Sequence, residues 1–292
     1  MIPLAAGGGM DTIARGIAQK LTDSLGQSVV VDNRGGGGGA IAAELVARSA
    51  PDGHTIIMLS STSVIHPIMY KGARYDVLSD FATVSQCTTQ PYIIVVHPAL
   101  PIKSVAELIA YSKANPNKLN YASSGSGSLI HLTGELFKLA TGAVMVHVPY
   151  KGIGAAYPDL IAGQIQLTFA SIISGLPQVR ALRLRALAVT GATRTKSAPD
   201  VPTVIEAGVP NFAVMNWYGI LVPAGTPRAI VERLHRETVK VLQQPEVIAR
   251  IEHDGAEAVG GTPQQFTAHI KAETEKWARV VKQAGIRGED TR

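Results

Sequence analysis

The chain has 292 residues, 46% of them apolar and 17% charged, with a formal net charge of +5. That length suits two domains with real cores, and the composition excludes a disordered chain. Aromatic residues are only 5% and basic residues form no run of five or six, so the charge reads as a basic soluble surface, with weak steering of small anions as the alternative, and nucleic acid is not expected as a partner.

Met1-Ile2-Pro3 leads straight into Leu4-Ala5-Ala6-Gly7-Gly8-Gly9-Met10-Asp11, a glycine turn that opens a helix near Thr12. Such a turn normally follows a strand. Only two residues precede Pro3, and they carry no export signal, so a strand is expected upstream of this numbering, with or without a signal. Asp11 reads as an N-cap, and Ile13, Ile17 and Leu21 share one helical face that Gly26 ends. Residues 28–31 read as a short buried strand, 35–39 as a turn and 40–49 as a small-residue helix. Pro51-Asp52-Gly53 is a turn before a strand at 55–59. The single cysteine, Cys87, excludes an internal disulfide, and no CxxC or Cys/His cluster points to a metal. A strand at 92–97 is the longest kind of apolar stretch present, far short of a membrane helix.

Ser104 caps a helix that runs to Asn115, with Glu107 in the capping-box position. After a strand at 119–122 comes the second turn, Ser123-Ser124-Gly125-Ser126-Gly127-Ser128, and a helix carrying Leu129, Leu132, Leu136 and Leu139. Strands at 144–148, 164–170 and 183–189 alternate with short helices, and a late strand at 217–222 ends at Pro223. Thr226-Pro227 and Thr262-Pro263 open two final helices. The last spaces Phe266, Ile270, Trp277 and Val281 along one face and stops at Gly285. This alternation signals α/β units with parallel or mixed sheets. Proline clusters divide the chain into a first domain, 1–100 plus 223–292, and a second, 101–222, with a ligand cleft between them.

Several chemistries are weighed and set aside. Residues 29–31 followed by Gly35-x-Gly37-x-x-Ala40 mimic a dinucleotide fingerprint, but the next strand ends in Ser60 and Ser61 rather than an acid for a ribose. No glycine run is followed by Lys-Ser/Thr, so a P-loop is not expected. The serine-rich turn lacks a G-x-S-x-G elbow, and His131 reads as a turn-ordering residue rather than a base. What the two turns share is a helix N-terminus, where unpaired N–H groups and the positive dipole end favour an anion. An α/β enzyme using these turns as an oxyanion or phosphate site is the alternative to a binding protein. Tyr150 reads as a cleft-rim residue with its hydroxyl towards a ligand, or as part of a surface turn. Trp217 and Tyr218 read as interdomain packing residues, with ligand contact as the alternative.

The ordered set of short motifs resembles the tripartite tricarboxylate transporter substrate-binding proteins, the Bordetella uptake gene or TctC-like family. Its carriers are the first turn, Leu25-Gly26-Gln27, Val31-Asp32-Asn33-Arg34, Ala50-Pro51-Asp52-Gly53, Tyr75-Asp76 with Asp80-Phe81, and Tyr121-Ala122-Ser123-Ser124-Gly125. His131-Leu132, His147-Val148-Pro149-Tyr150-Lys151-Gly152, Arg185-Ala186-Leu187-Ala188-Val189 and Pro202-Thr203 with Glu206-Ala207-Gly208 complete it. The resemblance implies a two-domain periplasmic-binding-protein fold of the Venus-flytrap, type II-like kind. It would be a monomer that captures a small carboxylate without chemistry or cofactor and delivers it to membrane transporter subunits. It also implies a periplasmic location for the full-length form.

The same resemblance implies ligand contacts from Ala6, Gly7, Gly9, Asp11 and Thr62 in one domain. In the other they come from Ser123, Ser124, Gly125, Ser128, His131 and Tyr150, with Ala170 and Ser171 shaping specificity. Leu4 replaces a usual aromatic residue, His54 a Tyr, and 35–39 is all glycine. Ala170 stands where an Asp suited to an amino group is common, which points to a carboxylate without an ammonium.

Overall fold

In the computed structural model, which describes residues 1–70 and 72–284, the first glycine turn runs into helix α1 (Gly9–Leu25). Ile13, Ile17 and Leu21 lie on its buried face, and Gly26 closes it at φ +67°, its N–H donating to the Thr22 carbonyl. A 3₁₀ turn (Gly37–Gly39) precedes α2 (Ala40–Ala47), and β1 (Ile57–Ser60) feeds α3 (Ser61–Met69). Gly38 has φ +62°, and a Cβ there would fall 2.5 Å from the His66 ring of α3, so the run needs glycine for conformation and space alike. Pro67 inside α3 has no N–H for the Ser63 carbonyl; the Tyr75 hydroxyl donates to that carbonyl instead, at 3.0 Å.

The chain continues through β2 (Phe81–Val96), α4 (Val105–Ala114), β3 (Asn120–Ser123), α5 (Leu129–Thr141) and β4 (Val146–Pro149). Then come α6 (Tyr157–Ile161), β5 (Leu167–Ser171), α7 (Ile172–Arg180) and β6 (Arg185–Val189). The last elements are β7 (Met215–Pro223), α8 (Arg228–Leu242), α9 (Pro245–His253), β8 (Glu257–Ala258) and α10 (Pro263–Ala284).

These elements form two compact units. One comprises Met1–Thr89, Trp217–Ile251 and the chain from Glu257 on; the other comprises Gln90–Asn216 and Glu252–Ala256. The first unit pairs β1 with β7 antiparallel and β8 with the front of β2. Its core gathers Val46, Ile57, Leu59, Trp217, Phe266 and Ile270, with the Trp217 and Phe266 rings edge to face at 5.2 Å. The second unit pairs the end of β2 antiparallel with β5 and β6, while β3 runs parallel to β4 and β5. Tyr121, Phe137, Phe169 and Phe212 fill its core. The backbone passes between units inside β2 and again inside β7.

Several local expectations change. Residues 28–31 are not a strand, and Val30 is 77% exposed. The pairing beside them is taken by Met1 and Ile2: Ile2 N–H donates to the Asp32 carbonyl at 2.8 Å, Arg34 N–H to the Ile2 carbonyl at 2.9 Å, and Met58 N–H to the Met1 carbonyl at 3.1 Å. Met1 and Ile2 thus make the backbone pairing directly ahead of the first turn. β2 begins at Phe81, eleven residues before the expected strand, because its polar first half, rich in Thr, Ser and Gln, shows no apolar alternation.

In α5 the buried face carries Leu129, Leu132 and Phe137, leaving Leu139 58% exposed and Leu136 half-buried. The aromatic ring, with more apolar area to hide, sets the helix rotation. Ser104 caps α4 as expected, accepting from Glu107 N–H at 3.1 Å. Thr262 and Gln265 form a reciprocal capping box, with bonds of 3.2 and 2.8 Å. Thr226 does not cap: its hydroxyl donates back to the Pro223 carbonyl at 2.7 Å, and the N-cap position of α8 falls on Pro227. The expected stop at Gly285 lies outside the described residues.

Candidate functional site

In the first unit, the opening turn places an exposed Ala6 and Gly7 ahead of α1, and Gly7 adopts φ +84°. The first bond along the helix is Thr12 N–H to the Gly8 carbonyl at 3.1 Å, so the N–H groups of Gly9, Met10 and Asp11 have no carbonyl within the helix. The N-cap is Gly8, which corrects the assignment of that role to Asp11. Asp11 is the third helical residue, and its buried carboxylate braces the turn from within. It accepts from Gly7 N–H at 3.1 Å, Asn33 Nδ2 at 3.0 Å and Arg15 Nε at 3.0 Å. Asn33 Nδ2 also donates to the Leu4 carbonyl at 3.2 Å. Burial alone would raise the Asp11 pKa, but these bonds and the Arg15 charge outweigh it and hold the carboxyl below its ordinary value. Thr62 lies on the first turn of α3 in this same unit.

The second unit builds its turn from the carboxyl end of β3 to the start of α5. Gly125 has φ +131° and Gly127 φ +75°, conformations that favour glycine. Two side chains take up the amides of those glycines: Ser123 Oγ accepts from Gly125 N–H at 3.1 Å, and His131 Nδ1 accepts from Gly127 N–H at 3.1 Å. Ser128 is the N-cap, its hydroxyl accepting from His131 N–H at 3.2 Å. Because Nδ1 of His131 accepts, a neutral ring carries its proton on Nε2, and Nε2 has no partner among the described residues. The His131 ring stacks on His147 of β4 with centroids 3.9 Å apart and planes 12° off parallel. His147 Nε2 lies 2.6 Å from Ser123 Oγ. Burial first, then His131 and Lys138, pushes His147 down to about 3. Burial and Lys138 lower His131 as well, against the pull of Glu135. Beneath the stack, Tyr121 Oη donates to Glu135 at 2.7 Å and Lys138 pairs with Glu135 at 2.8 Å.

Ser123, Ser124, Gly125, Ser128 and His131 thus share one turn. Tyr150 joins it through its backbone, donating N–H to the Ser123 carbonyl at 3.1 Å. Its hydroxyl does not point a free donor at a ligand: it donates to Asp159 at 2.6 Å, and burial together with that bond raises its pKa to about 12. Ala170 and Ser171 end β5, the strand parallel to β3. Ala170 is fully buried against Gly175 of α7, and Ser171 Oγ is buried with no partner among the described residues. The residues that sequence reasoning missed as a group are the supports: Arg15 and Asn33 under the first turn, His147 and Asp159 under the second. Paired His residues in different strands and helices leave no spacing signal.

The family model for the tripartite tricarboxylate transporter family receptor matches residues 13–286. The chain belongs to that family. Protein BugT of Bordetella pertussis is 37% identical over 289 residues, covering 98% of this chain and 89% of BugT. Among solved structures, one described as a periplasmic transporter is 39% identical with a TM-score of 0.95, covering 98% of this chain and 96% of that one. An R. palustris protein solved with adipate is 38% identical, with a TM-score of 0.95 and the same two coverages. The Rhodopseudomonas palustris protein MatC, solved with malate, is 31% identical with a TM-score of 0.91, covering 96% and 97%.

The receptor accordingly has the two-domain periplasmic-binding-protein fold, and it is a solute-binding protein rather than an enzyme. The geometry of the second turn agrees with that role. Ser123, whose hydroxyl lies beside the His147 ring nitrogen, is fully buried and spends that hydroxyl on the turn itself, so it is no nucleophile. Neither turn of the receptor contains Lys or Arg: residues 4–12 and 123–131 present backbone amides, hydroxyls and one imidazole.

Proposed function

We propose that this receptor captures a small carboxylate lacking an amino group and passes it, in the periplasm, to the membrane subunits of a tripartite tricarboxylate transporter. The observation that carries the reading is the second turn. It opens α5 with neutral donors only, and the Nε2–H of His131 has no partner among the described residues. Such donors suit a carboxylate, each charge-assisted bond contributing about 1.5–3 kcal/mol. A few of them suffice for micromolar affinity. Adipate and malate in related receptors support the ligand class. The buried Ala170 offers no acid for an ammonium. We further read Ala6, Gly7 and Gly9 in the first unit, and Ser124, Gly125 and His131 in the second, as ligand contacts. The protein works as a monomer in this reading.

The test is isothermal titration with adipate, malate, citrate, benzoate and glutamate, with product analysis after overnight incubation. Saturable binding of at least one carboxylate without an amino group, and no turnover, is expected. Binding of glutamate alone, or of nothing in the panel, overturns the reading. Light scattering with and without ligand checks the monomer.

A further inference from the structure

Within the second turn, only His131 offers a ring donor, and what decides its tautomer is not on its own helix. Its Nδ1 must stay unprotonated to accept from Gly127 N–H at 3.1 Å. A proton arriving there would set two N–H groups against each other at the positive end of α5. On the other face of the ring lies His147, parallel at 3.9 Å. His147 comes from β4, and its Nε2 reaches Ser123 Oγ at 2.6 Å, the same hydroxyl that accepts from Gly125 N–H. One side chain therefore touches both acceptors that hold the glycine amides.

We infer that His147 is a positioning residue: it shields the His131 ring from water and holds Ser123, so that His131 keeps Nδ1 as an acceptor and presents Nε2–H as its donor. This rests on the reading that the turn binds a carboxylate. The charged and titratable groups around the pair are Glu135 and Lys138 on α5, which pair with each other at 2.8 Å, and Tyr121 on β3, which donates to Glu135. Glu135 and Lys138 act on His131 in opposite directions. Burial is the leading cause of the depressed pKa of each histidine.

The experiment combines nitrogen NMR of the imidazole rings with titration of adipate between pH 5.5 and 8. In the unmodified receptor, His131 is expected to show the Nε2–H tautomer and to titrate below its ordinary value, and adipate affinity to change less with pH than in His147→Asn. In His147→Asn, water reaches the ring, and His131 is expected to titrate near its ordinary value of about 6.5. Adipate affinity then falls about tenfold between pH 7.5 and 5.5, as the neutral fraction drops to about one in eleven at one unit below that pKa. Ser123→Ala keeps the ring stack, so it weakens adipate by the same factor at every pH. If His147→Asn fails to fold, His147→Gln, whose amide can still reach Ser123, gives the same NMR readout.

An unmodified His131 that titrates near 6.5, or one whose tautomer and pKa are unchanged by loss of His147, overturns the inference. If the NMR results hold but adipate does not bind, the positioning role stands and the function proposed above loses its support.

Discussion

Replacing Asp11 with Asn tests whether this carboxylate is a brace or a ligand contact. The buried group accepts from Gly7 N–H and Asn33 Nδ2, and from the half-exposed Arg15. Hydrogen bonds to a charged acceptor contribute about 1.5–3 kcal/mol and neutral ones about 0.5–1.5, so two buried bonds lose about 2 kcal/mol together. The Arg15 pair is 54% exposed on the arginine side and adds less than about 1 kcal/mol. Loss of a negative charge from the first turn of α1 adds roughly 0.5 kcal/mol. The expected cost is about 3 kcal/mol, read by urea unfolding monitored by circular dichroism. A double-mutant cycle with Asn33→Ala should show a coupling of at least about 1 kcal/mol. Folded Asp11 keeps its charge below the pH at which the unfolded chain protonates it. This stability is therefore intact above about pH 4 and drains as the pH falls through the folded value. A cost below about 1 kcal/mol with an additive cycle refutes the brace. So does a stable variant with tighter anion binding, the mark of a carboxylate that faces the ligand.

Other outcomes follow from single contacts. A Cβ on Gly134 would lie 2.5 Å from the Tyr121 ring, so Gly134→Ala should lower stability by about 1–3 kcal/mol despite its better helix propensity; an unchanged urea midpoint contradicts this. Arg185 donates to the carbonyls of Leu100, Ile102 and Pro98, and an ammonium cannot reproduce that fork. Arg185→Lys is therefore expected to cost about 2 kcal/mol and to open the 98–102 loop to proteolysis, with undiminished resistance the opposing result. His147 is neutral when folded at pH values where the unfolded chain takes up its proton, so receptor stability should fall as pH drops from about 6.5 towards about 3. In His147→Phe the slope should be shallower by up to about 1 kcal/mol per pH unit, reduced from the full one-proton value because the ring is partly wet. Identical slopes would remove His147 from the acid response. Gly125→Val forces a β-branched residue to φ +131° and should abolish carboxylate binding with the overall fold kept; titration with adipate checks it.

Apolar periodicity and turn chemistry carried most of the fold. The faces of α1 and α10, the caps at Ser104 and Thr262, and both glycine turns stand where their residues place them. The failures share a cause. Residues 28–31 have strand composition, yet Met1 and Ile2 take the neighbouring hydrogen bonds, and pairing is a tertiary decision. The first half of β2 is polar because those residues meet side chains and loops of α10 and the chain before it, as Thr83 does with Thr267. In the candidate site the glycines and serines are visible by spacing. The residues that aim them are not: Asn33 reaches Asp11 across 22 positions and Ser123 reaches His147 across 24. Even Tyr150, whose N–H bonds to the turn, has its hydroxyl diverted by Asp159 nine positions on.

Turns without a lysine or arginine have a kinetic corollary. A site walled by cations draws anions from a distance, and its on-rate collapses as salt rises. In the proposed site the short-range pull would come from amides and an imidazole. Steering is then left to the diffuse field of a chain whose net charge is +5, which salt screens, and differences between cargoes fall mainly on residence time. Letting go needs no counter-ion to replace the cargo, which suits a carrier whose work ends in handing it on.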